Sequence, residues 1–316
     1  MIKIQEMIDD AKCYEQVRAL RWPAGVSCPC CGAHKSKKRG YHSHQPMRQR
    51  YQCRKCKKHF DDLSQTSFEG HHQPLKIWLL CLYFMGLDLS NHQIAQELEL
   101  NKDDVQTMTA SLRQIVYDRR NPTPLTGEVE FDEVYLVAGH KGYPAIVQGL
   151  ERNGRRNRLK GARGRGTLEA EKPPIFGMIQ RSGELIIQML PNVQQKTIQP
   201  LIQKHVQPGT LIYTDEYNIY FRLERWGYSH KTVNHSQGEY ARDEDGDGFH
   251  EVHTNTMEGV WSLLRSWLRP HRGISQEKLP LYLAFFEFVH NVRKRGKALL
   301  ASLLQLLLSP CHHAHS

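Results

Sequence analysis

Three acidic side chains are spaced along the chain in a way that could support metal-dependent chemistry on phosphodiesters. Asp132 lies within the alternating stretch "EVEFDEVYL", Asp215 ends the apolar stretch "TLIYTD", and Glu258 lies in "HTNTMEGVWSLLR". A carboxylate in a central strand is costly to bury unless it is paired or binds a metal, and strand ends are usual ligand positions in open α/β sheets. Three such carboxylates suit two Mg²⁺ ions, which stabilise the attacking and leaving oxygens in phosphoryl transfer.

Glu258 also has a purely structural interpretation. Apolar residues around it recur at helical spacing, so a helix is predicted here. Asn255, three residues earlier, is a suitable N-cap, with Glu258 as the reciprocal acid of a capping box. The local pattern alone favours capping. Asp132 and Asp215 add a metal-binding role at the helix start as the alternative, which we favour once the family resemblance given below is also counted. Arg265, seven residues after Glu258, falls on nearly the same helical face.

Four cysteines form two Cys-x-x-Cys pairs, Cys28/Cys31 and Cys53/Cys56, with 21 residues between the pairs. Two such pairs supply the four thiolates of a closed tetrahedral zinc site. A redox Cys-x-x-Cys motif would need no second pair, and Cys30 does not keep the two-residue spacing. We therefore predict a structural Zn²⁺ in a zinc ribbon that has no open coordination position for catalysis.

Two other clusters have weaker metal-binding patterns. Asp243, Asp245 and Asp247 match the first half of a calcium-binding loop, but the twelfth position is Thr254 rather than a bidentate Glu. A polar acidic loop is the better interpretation. Cys311 and the histidines that follow it are interpreted as part of a disordered tail, although they could bind a metal weakly.

Two stretches could contact nucleic acid. In the first, Ser90 and Asn101 are candidate N-caps of two short helices joined by a tight turn, which is a helix-turn-helix pattern. The early residues of a recognition helix contact bases, although such a hairpin can also serve packing alone. The candidate contacts are Lys102, Gln106 and Thr107.

The second stretch, residues 152–165, has seven basic side chains in fourteen residues and could neutralise several DNA phosphates. The alternative is a solvated, disordered loop. Its basic residues are Arg152, Arg155, Arg156, Arg158, Lys160, Arg163 and Arg165.

The chain has 316 residues, a formal net charge of +10 and a pI of about 9.2. This length allows two or three domains with a substantial core. The charge favours a polyanionic partner or high solubility, but it does not specify a fold. The longest apolar run, residues 298–308, is too short to span a bilayer. Because we recognise no secretory signal, we expect a cytoplasmic protein without membrane insertion, associated with the nucleoid when bound to DNA.

The carboxylates would be positioned by an α/β core. After residue 127 the predicted order is a strand, a β-hairpin, a helix, a buried strand, a polar loop and helices, which is a mixed α/β domain. The predicted segments are an N-terminal helix at 1–25, a zinc ribbon at 26–62, a helical, helix-turn-helix-like DNA-binding region at 63–120, the catalytic α/β domain at 127–297 with a basic insertion at 151–172, and a C-terminal helix and tail at 298–316.

Five stretches occur in the order seen in the insertion-sequence transposases of the 1595 group, which the chain resembles over about residues 10–297. They are "LRWPAGVSCPCCG", "YQCRKCKKHF", "GEVEFDEVYL", "YTDEY" and "HTNTMEGVWSLLRSWLRPHRGIS". The resemblance implies a zinc ribbon, a helical DNA-binding part and a ribonuclease-H-like catalytic domain. It also implies cleavage and strand transfer of transposon ends that depend on Mg²⁺ or Mn²⁺.

By motif position, the resemblance implies that Asp132 and Asp215 are the two catalytic aspartates. The third catalytic position varies in the group between Asn and Glu. Glu258 fits this position and Asn255 is its rival. Arg265 stands where the group commonly has a Lys; arginine keeps the charge but alters the geometry of the contact.

Three functions are compatible with these patterns. The first is a transposase that acts on terminal repeats and target DNA, expected to be a homo-oligomer on DNA. The second is a non-catalytic DNA-binding regulator or decayed transposase, which the presence of all three carboxylates disfavours. The third is a ribonuclease-H-like nuclease that cuts without rejoining, which only the family resemblance disfavours.

Overall fold

The computed structural model describes residues 8–149, 165–181, 183–234, 241–244, 246, 248 and 250–309. The chain divides into two compact units. The first comprises Met1–Arg119 and Gly296–Ser316, and the second is Arg120–Arg295. None of the helices in the described ranges has both the length and the apolar character that crossing a membrane requires.

The first unit starts with a helix and a small antiparallel sheet. Helix α1 spans Asp10–Arg21, and strands β1, β2 and β3 span Ser36–His42, Gln45–Cys53 and His59–Asp61 and pair in that order. The rings of Trp22, Tyr51 and Phe60 pack around the buried Cys28 and Cys53. Such a small core gives little stability on its own, which makes a metal centre structurally important here.

Helices complete the first unit: α2 spans Leu75–Gly86, α3 spans Asn91–Leu98, α4 spans Lys102–Arg119, and the C-terminal helix spans Leu299–Leu308. The C-terminal helix packs against α1, α2 and α4, although the whole second unit intervenes in the sequence. The predicted N-caps are confirmed. Ser90 and Gln93 form a complete capping box at α3, and Asn101 Oδ1 accepts a hydrogen bond from the Asp103 N–H at α4.

The second unit is built on a five-stranded mixed sheet. Its strands are β4 at Glu128–Tyr135, β5 at Pro174–Gln180, β6 at Leu185–Met189, β7 at Leu211–Asp215 and β8 at Ser229–Val233. Their order is β6-β5-β4-β7-β8, in which β4, β5 and β6 are antiparallel neighbours and β7 and β8 join β4 in parallel. The predicted mixed α/β class is confirmed.

Helices cover both faces of this sheet. They are α6 at Gln195–His205, α7 at Asn255–Leu268 and α8 at Leu279–Lys294. The short helix α5, at Pro144–Gln148, has no buried residue. A separate two-stranded sheet pairs β9, Ala241–Arg242, with β10, Val252–His253. On one face of the large sheet, Val129 and Phe131 pack against α6. On the other face, Val134 packs against α7 and α8. Because side chains alternate along a strand, Glu130 and Asp132 belong to the α7 face.

Polar side chains of α8 cover the outer side of strand β6. The Glu287 carboxylate accepts a hydrogen bond from the Ile187 N–H at 2.9 Å, and Asn291 bonds to both the N–H and the carbonyl of Leu185 at 2.8 Å. These contacts satisfy backbone groups that an edge strand would otherwise offer to another chain. Arg120 lies 3.6 Å from Glu287. Burial nevertheless raises the pKa of Glu287 to about 7.

The raised pKa of Glu287 predicts how stability depends on pH. The folded state binds the proton more tightly than the unfolded state, so stability falls as pH rises from about 4.5 to about 7. In Glu287→Gln the amide oxygen can still accept from Ile187, but this fall is absent. As pH rises from 5 to 8, the free energy of unfolding of the variant should increase by on the order of 2 kcal/mol relative to that of the parent, measured by urea unfolding. Glu169→Gln, at an exposed position of the same unit, is the control, and its free energy of unfolding should follow that of the parent over this pH range.

Candidate functional site

The two Cys-x-x-Cys pairs converge in the ribbon. The Sγ atoms of Cys28 and Cys56 are 3.6 Å apart, as are those of Cys31 and Cys53, and all four lie within 4.8 Å of one another. Four sulfurs held about 2.3 Å from a central Zn²⁺ in a tetrahedron would be about 3.8 Å apart, so the donor set and the spacing fit zinc. Cys30 is exposed and lies outside this set.

Backbone amides support these thiols. The N–H groups of Lys55 and Cys56 point at Cys53 Sγ, at 3.3 and 3.5 Å. Hydrogen bonding, above all from the Cys56 N–H, lowers the pKa of Cys53 to about 6 and so favours the thiolate that binds metal. In the first pair, Gly32 has φ 69° and donates its N–H to the Cys28 carbonyl, a left-handed turn that favours glycine.

Asp132 and Asp215 lie at corresponding positions of two neighbouring parallel strands. Strands β4 and β7 pair with Glu130 opposite Tyr213, so the two aspartates, each two residues further along, point to the same face of the sheet. Burial raises the pKa of Asp132 to about 6, and the charges of Asp215 and Glu258 add to the rise. The three carboxylates are therefore close enough to interact electrostatically.

Helix α7 crosses this face and holds Asp132 in one orientation. Trp261 Nε1 donates to Asp132 Oδ2 at 2.8 Å, and the Glu133 N–H donates to Oδ1 at 2.8 Å. Gly177 of β5 pairs with Asp132, and a Cβ there would come within 2.5 Å of the Trp261 ring. The missing side chain thus gives the indole room to lie against the sheet and reach the carboxylate.

The start of α7 differs from the prediction. The helix begins at Asn255, Thr254 occupies the N-cap position, and the N-cap side chain makes no capping hydrogen bond. The predicted capping box of Asn255 and Glu258 is therefore wrong. The physical reason is that a carboxylate from the neighbouring strand takes the role: Glu130 Oε2 accepts from the Met257 N–H at 3.0 Å.

Glu130 was not identified from the sequence, yet it is fully buried at the centre of a network. Its Oε1 accepts from Arg181 Nε and from the Thr256 hydroxyl, both at 2.8 Å. Arg181 also donates to the His253 carbonyl at 2.9 Å, and its guanidinium lies 3.8 Å from the ring centroid of Tyr213. The network joins strands β4, β7 and β10 to the first turn of α7.

The remaining candidate catalytic side chains, Asn255, Glu258 and Arg265, are all exposed on α7. Within the described residues, the four ribbon cysteines are the only group of three or more ligand-type side chains whose ligand atoms all lie within 4.8 Å of one another. The three carboxylates are thus near one another without forming so compact a cluster.

The candidate nucleic-acid contacts lie in both units. Lys102, Gln106 and Thr107 are exposed on the first half of α4. In the second unit, the guanidinium of Arg165 lies 3.5 Å from the ring centroid of Tyr217, whose N–H donates to Asp215 Oδ1 at 3.0 Å. The other predicted members of the basic stretch and the C-terminal cluster lie outside the described residues: Arg152, Arg155, Arg156, Arg158, Lys160, Arg163, Cys311, His312, His313 and His315.

Comparison with known families agrees with this architecture. A model of the ISXO2-like transposase domain of the 1595 group matches residues 124–291, and a model of the transposase zinc-ribbon domain matches residues 8–59. The chain belongs to this transposase family. The zinc-ribbon match contains all four converging cysteines, and the transposase-domain match contains all three carboxylates.

Two proteins similar to this transposase-family chain are described as uncharacterized. A protein in the transposable element ISH50 of Halobacterium salinarum is 32% identical and covers 98% of this chain and 100% of its own length. A transposase-like protein of Haemophilus influenzae is 30% identical over 33% of this chain and 77% of its own. A chain of the simian T-cell lymphotropic virus intasome structure, solved with PP2A regulatory subunit B56 gamma, matches with a TM-score of 0.29 and 8% identity over 65% of this chain and 66% of its own. A likeness that distant does not bear on function.

The ribbon geometry predicts one bound zinc per chain. Cys53→Ser should lose the zinc and loosen the first unit, because a structural site with three thiolates binds far more weakly. The measurements are metal content by mass spectrometry and protease sensitivity of the ribbon. Cys30→Ser is the matched control, since this exposed thiol lies in the same knuckle but outside the cluster, and it should keep its zinc. Full zinc content in Cys53→Ser would contradict the assignment.

The Glu130 network predicts unequal losses at two neighbouring acids that share Arg181. Glu130→Ala removes a buried partner and should cost about 3 kcal/mol or more of the free energy of unfolding. Glu128 contacts the same arginine at 2.9 Å but is 51% exposed, so Glu128→Ala should cost less than about 1 kcal/mol. Denaturant unfolding of both variants checks this. Equal losses would mean that Glu130 does not anchor α7.

Proposed function

We propose that this transposase-family chain is an active enzyme that cleaves transposon ends and joins them to target DNA. The observation that supports the proposal is that Asp132, Asp215 and Glu258 share one face of the sheet and its covering helix, where their charges act on one another. A largely buried carboxylate beside two others costs free energy unless a cation compensates their charge, and DNA binding alone does not require such a group.

The donor set fits Mg²⁺ or Mn²⁺, because both prefer carboxylate oxygens. Asp132, Asp215 and Glu258 would hold these ions. When bound, such ions stabilise the negative charge on the attacking and leaving oxygens of an in-line displacement at phosphorus.

The protein's own groups then orient the site. The Trp261 indole and the Glu133 N–H fix both oxygens of Asp132, so this carboxylate is held in place before any ligand arrives. Arg265 is exposed on the helix that carries Glu258, where its guanidinium can make paired hydrogen bonds to a DNA phosphate. These contacts position the phosphodiester without requiring a general base from the protein.

For the third catalytic position we favour Glu258 over Asn255. The charge of Glu258 acts on Asp132, and a carboxylate is a better ligand for a hard dication than a neutral amide. Asn255 instead occupies the first position of α7, where its backbone N–H donates to His253 Nδ1 at 3.3 Å.

The other parts of the chain bind DNA in this proposal. Zinc in the four-cysteine site stabilises the ribbon, and α3 and α4 act as a helix-turn-helix that turns Lys102, Gln106 and Thr107 toward bases. Arg165, whose guanidinium lies over the Tyr217 ring next to Asp215, neutralises a phosphate there, and the other basic residues of 152–163 add phosphate contacts. Action as a homo-oligomer on DNA and a cytoplasmic, nucleoid-associated location stay predictions.

The test is a cleavage and strand-transfer assay with labelled transposon-end DNA and Mg²⁺, resolved on a denaturing gel. Glu258→Gln should lower both activities by more than about a hundredfold, because the amide is a poor Mg²⁺ ligand, with partial rescue by Mn²⁺. Its unfolding free energy should change by less than about 0.5 kcal/mol, because Glu258 is exposed and caps no helix.

Asn255→Ala is the companion variant and should keep most of the activity. If Asn255→Ala is inactive while Glu258→Gln stays active, the third catalytic residue is Asn255. If wild-type protein cleaves the end but never joins it to target DNA, the chain is a nuclease rather than a transposase.

A further inference from the structure

One face of helix α7 is exposed along its whole length and changes from acidic to basic. Glu258, Ser262, Arg265 and Arg269 are all exposed, and their spacings of four, three and four residues keep them on a single helical face. Arg269 follows the last helical residue and retains helical backbone angles, φ −59° and ψ −44°. The face therefore runs from a proposed metal ligand to a pair of arginines.

The positive charge continues beyond the end of α7. Arg272 follows a short 3-10 turn in a left-handed conformation and is exposed. Lys141 is also exposed, and its Nζ donates to the carbonyls of Arg272 and Gly273 at 3.3 and 3.2 Å. From residue 259 to residue 276 the sequence contains no Asp or Glu. Lys141 thus lies beside the backbone that follows α7, and the segment itself contributes three exposed arginines and no acid up to residue 276. Glu277, which comes next, is paired with His140 at 2.6 Å.

The opposite face of α7 is fixed to the sheet. Met257, Val260, Trp261 and Leu264 are buried in the core, and Glu130 holds the first turn. A surface on an anchored helix presents its charges at set distances, which lowers the ordering cost of binding a regular partner.

Basic residues near a helix C-terminus also stabilise the helix dipole, which is the structural explanation for Arg265 and Arg269. That effect falls off within the last turn. It does not account for Arg272, which lies past the helix, or for Lys141, which comes from a different segment. The combined surface therefore favours an external anionic partner.

We propose that Arg265, Arg269, Arg272 and Lys141 form a track that binds consecutive phosphates of the DNA strand next to the phosphodiester at the carboxylates. The eleven steps from Glu258 to Arg269 correspond to about 16 Å of helix. This length corresponds to about five phosphates of one strand at about 3.4 Å each along the duplex axis. Only the location of the cut relative to the track rests on the proposed function; the binding itself does not.

The test compares two double variants that remove the same charge. Arg269→Gln/Arg272→Gln removes half of the track. Lys196→Gln/Lys204→Gln is the matched control, because these exposed lysines lie on α6, which packs on the opposite face of the sheet. Binding of a 30-base-pair terminal-repeat duplex and of a random duplex is measured by fluorescence anisotropy over a range of salt, without divalent metal. Thermal melting checks that every variant is folded.

The track variant should show a salt-dependence slope smaller by about 1.8 for both duplexes, because each lost phosphate contact removes about 0.9. At 0.1 M salt this corresponds to a loss of affinity of about eightfold per contact. The control should change the slope by much less. Arg269→Lys/Arg272→Lys, which keeps the charge, should retain most of the slope and guards against a folding defect in the glutamine variant.

Equal slopes for the track variant and the control would overturn the proposal, whatever the enzyme does. If the track variant loses the slope but wild-type protein cleaves no DNA in the presence of Mg²⁺, the track stands and the proposed enzymatic function fails. Glu258→Gln distinguishes the two further, since it should abolish cleavage and leave the slope unchanged.

Discussion

The carboxylate of Glu130 has no exposure to solvent, so its charge has to be balanced by groups inside the protein. Arg181 supplies the opposite charge, and the first turn of α7 supplies the Met257 N–H and the Thr256 hydroxyl. A helix N-terminus and a buried carboxylate stabilise each other because the unpaired amides point at the negative charge. The position of α7 along β4 is fixed by this interaction, and the position of Glu258 relative to Asp132 follows from it.

The alternation of side chains along β4 decides what each of its acids can do. Glu130 and Asp132 face α7, whereas Glu133 faces the opposite layer, where the Tyr220 hydroxyl donates to it and burial raises its pKa to about 8. Burial raises the pKa of both neighbours, Glu133 and Asp132, but on opposite faces of the sheet. A shift of one position along the strand thus separates a carboxylate that faces Asp215 and α7 from one that is enclosed and bonded to a tyrosine hydroxyl.

Short sequence patterns were sufficient to predict the features of the fold that are determined within one segment of the chain. The four cysteines, the caps at Ser90 and Asn101, and the buried strand ending at Asp215 each depend on spacing within a short segment. The start of α7 could not be predicted in this way, because its capping carboxylate comes from a strand more than a hundred residues earlier. One feature of the sequence could have identified Glu130. It precedes Asp132 by two residues and therefore lies on the same face of the strand, where a buried acid requires a cation such as Arg181.

The folded protein holds Asp132 where its own charge is disfavoured. Burial and the charges of Asp215 and Glu258 raise its pKa above the ordinary value of 3.8, and the hydrogen bonds from Trp261 and Glu133 only partly oppose this rise. A divalent cation among these carboxylates would reverse the sign of the electrostatic interaction. The unfolded chain does not hold the three groups together, so such a cation would bind the folded state preferentially and stabilise it. The unfavourable free energy of holding the carboxylates together is thus present only in the metal-free folded state. In that state the contacts of α7 with Glu130 and of Trp261 with Asp132 hold them together despite their mutual repulsion.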